Sequence, residues 1–205
     1  MTQAGPRERR QQRHRAELVS AGMRLFAERG FDATTVDEVA DAAGVSRRTL
    51  FRYFGSKGDI VMEWARGTTS VLVAALRARP PAEEPLCSLR AAFVAMCASI
   101  GGSSAHIRSV IEMIERSPSL RPYSLLKHAR WEDALAELLA QRRPELDTMH
   151  RTLLARAAVA AFRSALDEWL RTEPERADPD PRVEVDRAFA LLARIGSEPC
   201  AIVDT

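Results

Sequence analysis

Thr34–Lys57 reads TTVDEVADAAGVSRRTLFRYFGSK, and its spacing predicts two short helices about a tight turn, with a third helix opening at its end. Thr35 has the character of an N-cap, and Glu38 stands three residues on, where its carboxylate can return to the Thr35 amide. Val36, Val39, Ala40 and Ala43 recur at the i, i+3, i+4, i+7 spacing of a buried helical stripe. Gly44 can then take the left-handed conformation that ends a helix, Val45 fills the angle, and Ser46 caps the second helix. On that helix Leu50 and Phe54 share one face, which leaves Arg47, Arg48, Thr49, Phe51 and Arg52 on or near the other. A glycine-containing turn followed by a small basic helix predicts a helix-turn-helix. A plain helical hairpin with a surface of arginines has the same periodicity, so the order of the residues must separate the two.

On the N-terminal side, residues 1–10 are polar, with Gly5-Pro6 and an arginine cluster, and read as a disordered basic arm. Such an arm is a solvated tail or a contact to phosphates or the minor groove beside the main site. A first helix is expected from Gln11 to Arg29, burying Leu18, Gly22, Leu25 and Phe26 and stopped by Gly30, with Phe31 placed to pack on its end. On the C-terminal side, Ser56 and Asp59 have capping-box spacing, and Ile60, Val61, Trp64, Thr68, Val71, Leu72, Ala75 and Leu76 carry a long fourth helix to Arg79, before Pro80-Pro81. Being far longer than the recognition helix, it links the DNA-binding unit to whatever follows.

Further helices are expected at Pro85–Ile100, Ser104–Glu115, Ser119–Arg142, Asp147–Arg171 and Arg182–Ile195, the last preceded by the acidic loop EPERADPDP. No stretch alternates as a strand would and nothing repeats at a fixed period, so the fold class is all-α. The Asp147–Arg171 helix is rich in alanine, which reflects either helix propensity or close approach of another helix. Phe189, Leu192 and Ile195 form an apolar stripe on the last helix.

The 205 residues are 46% apolar and 28% charged, enough for a core and too polar for a membrane protein. The net charge of +2 is unevenly spread: residues 1–58 hold 11 Lys/Arg against 7 Asp/Glu, a balance of +4, and the remainder 19 against 21, a balance of −2. That suits a polyanion at one end only. No apolar run is long enough to span a bilayer, and the N-terminus has no apolar core of a secretory signal, so a cytoplasmic protein without a membrane partner is expected. Cys87 and Cys97 fall on one expected helix, roughly 15 Å apart along its axis, too far for a disulfide. His14, His106, His128 and His150 each lack a neighbour at ligand spacing, and no phosphate-cradling loop, GxSxG or HExxH is present. Neither an enzyme, nor a cofactor, nor a metal is expected.

The Gly44-Val45-Ser46 turn, the Arg47-Arg48-Thr49 run, the aromatic-x-aromatic-aromatic segment Phe51–Phe54 and the Ser56-Lys57 helix start together resemble the tetracycline-repressor (TetR) family of bacterial transcription regulators. The resemblance spans about Arg15 to Lys57 and includes AGMRLFAERGFDATTVDEVA; beyond Lys57 it is one of size and helical pattern. It implies a helix-turn-helix DNA-binding domain at 11–58 and an effector-binding and dimerisation domain at 59–205. It implies a homodimer joined through the last two helices, and a partner that is double-stranded DNA with a near-palindromic operator. Arg47, Arg48, Thr49, Phe51 and Arg52 would then face base edges, and Thr35, Ser46, Tyr53 and Lys57 would hold phosphates.

A small apolar or amphipathic effector would act on a repressor, and Trp64, Leu72, Phe93, Met96, Cys97, Met113, Tyr123 and Trp131 are candidates to line its site, the competing reading of each being plain core. The RTLFRYFGSKGDI stretch and the ARPPAEEPL linker resemble the mycofactocin-type regulators, whose effector class is acyl-CoA esters. A constitutive helix-turn-helix protein without an effector and a helical scaffold are the alternatives. Operator binding by the chain, and its loss on adding a ligand, distinguish the three.

Overall fold

In the computed structural model, which describes residues 5–99, 104–172 and 180–195, those residues form helices, turns and loops with no strand. The helices are α1 (Pro6–Arg29), α2 (Val36–Ala42), α3 (Arg47–Tyr53), α4 (Lys57–Arg77), α5 (Pro85–Ser99), α6 (Ser104–Arg116), α7 (Arg121–Arg142), α8 (Thr148–Arg171) and α9 (Pro181–Ile195), with a 3-10 turn at Pro118–Leu120 before α7. The first helix therefore begins at Pro6 rather than Gln11. Proline suits a first helical turn, where an amide proton has no partner in any case. The expected disorder does not hold for 6–10, and residues 1–4 lie outside the described residues, as do the 101–102 glycine stop and the 173–179 part of the acidic loop.

The local signals act as their chemistry requires. Thr35 and Glu38 form a complete capping box: the Thr35 hydroxyl accepts from the Glu38 amide, and Glu38 Oε2 accepts from the Thr35 amide at 2.8 Å. The Thr35 amide, and after it the Thr35 hydroxyl donating to the same Oε2, hold the Glu38 carboxyl below its ordinary range. Ser46 Oγ accepts from the Thr49 amide at 3.2 Å at the start of α3. Ser56 Oγ accepts from the Asp59 amide while Asp59 Oδ2 accepts from the Ser56 amide at 3.0 Å, opening α4. Gly30 and Gly44 have φ of 88° and 66°, the left-handed values that stop α1 and α2.

The chain divides into two compact units that do not follow a boundary at Gly58. The first is Met1–Thr68 together with Ala105–Lys127. Its core joins Leu18 and Phe26 of α1, Val39 and Ala40 of α2, Leu50 of α3, Phe54, and Ile60 and Val61 of α4 to Val110 and Ile114 of α6 and Leu120. Segment 105–127 thus supplies apolar surface that helices α1–α3 need. At its far end Lys127 is buried and paired with Glu115 at 3.0 Å, and Ser124 donates to the same carboxylate at 2.9 Å.

The second unit is Thr69–Ser104 with His128–Thr205. Phe93 of α5 is its hub, stacked on Phe162 of α8 at 4.6 Å between centroids and tilted against Trp131 of α7 and Phe189 of α9, each at 5.9 Å. The alanine-rich side of α8, with Ala155, Ala158, Ala161 and Ala165, is buried inside this unit, where α8 and α9 pack closely. Of the Phe189, Leu192 and Ile195 stripe, Phe189 faces inward, Leu192 is half-buried and Ile195 is exposed. The apolar side chains left exposed on α8 and α9 are Met149, Leu153, Val183, Leu191 and Ile195. Arg79 reaches Glu83 with Nε at 2.8 Å and, with Ser88, holds that carboxyl down to about 2. The turn between α4 and α5 is thereby tied together.

Gly58, in the first turn of α4, allows a close approach within the first unit. A Cβ there would lie 2.1 Å from Tyr123 Oη and 2.3 Å from its ring carbon Cζ. Gly58→Ala is expected to lower unfolding free energy by about 1–3 kcal/mol, as overpacking does. Thermal denaturation should show the loss shrinking in a Tyr123→Ala background.

Candidate nucleic-acid interface

α3 is only seven residues long, less than an isolated helix needs to persist in water. It is held by the Ser46 cap and by burial of Leu50 and of Phe54, the residue that ends it. That burial fixes which residues face out. Arg47, Arg48, Phe51 and Arg52 are exposed, Phe51 keeping 42% of its surface open. Thr49 and Tyr53 are half-buried, with Thr49 Oγ1 3.0 Å from Ser46 Oγ.

Two of the arginines are ordered by their neighbours. Arg47 Nη1 donates to Asp37 Oδ2 of α2 at 2.8 Å, and its guanidinium carbon lies 5.4 Å from the Phe51 ring centroid. Arg52 lies 5.2 Å from the ring of Tyr53. Arg52 and Tyr53 also border a cleft of about 390 Å³ whose other walls are Gln11, Gln12 and Arg15 of α1. Arg15 is fixed there by Glu63 at 2.7 Å and by the face of Phe54 at 5.3 Å. Among the described residues no acidic side chain lines this cleft. Gln11, Gln12 and Arg15 of α1 join the candidate surface, although none of them is among the DNA-contacting residues expected from the sequence. Their position in the polar stretch before Leu18 was the available signal.

The proposed phosphate contacts divide. Ser46 sits at the N-terminus of α3, where it can still present a hydroxyl. Thr35 is engaged by Glu38 through its amide and its hydroxyl, the latter at 2.9 Å. Lys57 is engaged within the chain: its ammonium donates to the carbonyls of Phe31 at 2.7 Å and Thr34 at 2.8 Å, and sits 4.6 Å from the Phe31 ring centroid. It holds the loop between α1 and α2 against the start of α4.

The eight candidate effector residues divide between the two units. Trp64, Met113 and Tyr123 pack against the core of the first unit, whereas Leu72, Phe93, Met96, Cys97 and Trp131 are core of the second. Burial pushes the Cys97 thiol up to about 12, so it stays protonated. Trp131 donates its indole N–H to Thr69 Oγ1 at 3.0 Å. Among the described residues no group of His, Cys, Asp and Glu could hold a metal ion, and no helix is long and apolar enough to cross a membrane.

Residues 18–63, which contain α2 and α3, match the bacterial regulatory proteins of the tetR family, and residues 83–195, more than half the chain, match the MftR C-terminal domain. The chain belongs to the TetR family. It is a DNA-binding transcriptional regulator. Among its relatives, the regulator TcmR of Streptomyces glaucescens is 31% identical over 183 residues, covering 86% of this chain and 80% of TcmR. MftR of Mycobacterium tuberculosis, a regulator assigned to mycofactocin biosynthesis, is 31% identical over 163 residues, covering 76% and 79%. The fold is also that of Thermus thermophilus FadR, a TetR-family repressor solved with lauroyl-CoA, at a TM-score of 0.62, 22% identity, and 93% and 98% coverage of the two chains.

The placement of Lys57 separates two roles experimentally. Lys57→Met is expected to lower the melting temperature of the free protein, since bonds from a charged donor contribute about 1.5–3 kcal/mol. The slope of log affinity for DNA against log salt should stay that of the wild type. A slope shallower by about 0.9 would instead count one lost phosphate contact.

Proposed function

We propose that this regulator is a dimeric repressor that reads a near-palindromic operator through α3 and leaves it when an amphipathic acyl thioester binds the second unit. The observation that carries the reading is α3 itself: a capped, seven-residue helix with Leu50 and Phe54 inward and Arg47, Arg48, Phe51 and Arg52 outward. Arginine is the side chain best suited to guanine O6 and N7, and a helix of this size fits the major groove. The cleft of Gln11, Gln12, Arg15, Arg52 and Tyr53 is placed beside it to receive the DNA backbone, with Ser46 at the α3 N-terminus as a second phosphate contact.

Two identical chains supply two such helices, so the operator has two-fold character. The exposed Met149, Leu153, Val183, Leu191 and Ile195 of α8 and α9 support the pairing surface. The effector class is supported by the match to the MftR C-terminal domain and by the lauroyl-CoA held in FadR. Coupling is supported by α4, one continuous helix whose residues up to Thr68 belong to the first unit and the rest to the second. A ligand acts only through its different affinity for the DNA-competent and DNA-incompetent states, and the effect on operator affinity is reciprocal.

Two measurements test this. Mobility shift on the intergenic DNA beside the chain's own gene should show a discrete complex, which acyl-CoAs of increasing length weaken about 5–150-fold, a coupling of about 1–3 kcal/mol. A complex untouched by any acyl-CoA would leave a constitutive DNA-binding protein. In sedimentation, Leu153→Asp should shift the chain from dimer to monomer with its helical circular dichroism retained, because Leu153 is exposed within the protomer. A stable Leu153→Asp dimer would move the interface elsewhere.

A further inference from the structure

Arg47 occupies the first helical position of α3, where a cation gains nothing from the helix dipole. Asp37 occupies the second position of α2, where a carboxylate is favoured. The two meet at 2.8 Å although their side chains keep 63% and 53% of their surface. An ion pair this open adds little to stability. Its effect is on the arginine: Asp37 takes Nη1, and the Phe51 face lies 5.4 Å beneath the guanidinium carbon. A long side chain, otherwise free to rotate, is thus restrained from two helices at once. Nη1 being occupied, Nε and Nη2 remain as an edge of two parallel donors, the pattern that matches guanine O6 and N7.

We propose that Asp37 is a positioning residue for base reading. Its carboxylate holds Arg47 so that the Nε–Nη2 edge meets one guanine in each half-site, and it thereby sets the guanine preference at that position. The proposal rests on α3 lying in the major groove. The ordering entropy that an unrestrained arginine would lose on binding is already lost in the free protein, which favours the matched base over sequences that need another arginine conformer. The rival role for an acid at a DNA surface is plain repulsion of phosphates, which lowers affinity for every sequence alike.

The full-length wild type, Asp37→Asn, Arg47→Ala and the double variant would each be offered a pool of randomised DNA duplexes, and the bound fraction sequenced. Asparagine keeps the size of aspartate and removes its charge, and circular dichroism melts confirm that each variant is folded. Arg47→Ala should lose a guanine preference at one position per half-site, and Asp37→Asn should lose at least about fivefold of it at the same position, the scale of one bidentate contact. Other positions should be unchanged, and the double variant no worse than Arg47→Ala. The proposal is overturned if Asp37→Asn keeps that preference, if it raises affinity for all duplexes with the preference intact, or if it weakens every position together. If Arg47→Ala itself leaves every base preference in place, Arg47 is not a base reader and the proposal falls with that assignment. If the wild type selects no sequence at all, the reading of α3 as a DNA-reading helix falls first.

Discussion

Everything outward on α3 depends on what is inward. Seven residues cannot sustain a helix by backbone hydrogen bonds alone. The recognition helix is therefore a consequence of Leu50 and Phe54 being taken out of water by α1, α2 and α4. Because one side must be buried, rotation about the helix axis is settled, and with it the identity of the four exposed side chains. Ser46 sets the start of the helix, and the extended backbone of Phe54 sets its end. Lys57 then clamps the preceding loop by two short bonds to carbonyls, so the platform under α3 is held by a half-buried charge.

The clamp also shows why a side chain's type does not reveal its task. Lysine just beyond a basic helix invites assignment to phosphate, and its position in the chain is compatible with that. The carbonyls of Phe31 and Thr34 lie more than twenty residues upstream, and only the folded chain brings them within 3 Å. Arg47 shows the opposite case: Asp37 takes only its Nη1, and the exposed guanidinium keeps its other donors for use.

What could be read beforehand was what local chemistry determines. Thr35, Glu38, Ser46, Ser56 and Asp59 act within three or four residues of themselves, and Gly30 and Gly44 act on their own φ, so the ends of the early helices were legible. The all-α class followed from periodicity of 3.6 over long stretches. The facing of α8 and α9 was not legible, because alanine is equally suited to a helix that packs on its own chain and to one that packs on another. Phe189 joined the inward side for a reason that lies in Phe93, almost a hundred residues away. The candidate effector residues were chosen for being large and soft, the same properties that fill a core, and burial alone does not tell the two apart. Asp37 and the α1 residues Gln11, Gln12 and Arg15 are not legible in the sequence, because their relevance is a matter of which side chain stands beside them.

Segment 105–127 bears on how this regulator can be taken apart. Val110, Ile114 and Leu120 complete the hydrophobic core that α1, α2 and α4 begin. The reading head is thus not a bead that can be cut from the string: its core is assembled from two stretches of chain, and the stretch between them, α5 included, belongs to another body. Exchanging heads among relatives, a natural route to new specificities, would leave a grafted 1–68 piece resting on a foreign 105–127 surface. Specificity in this architecture is more easily retuned by changing the outward residues of α3 than by transplanting the head.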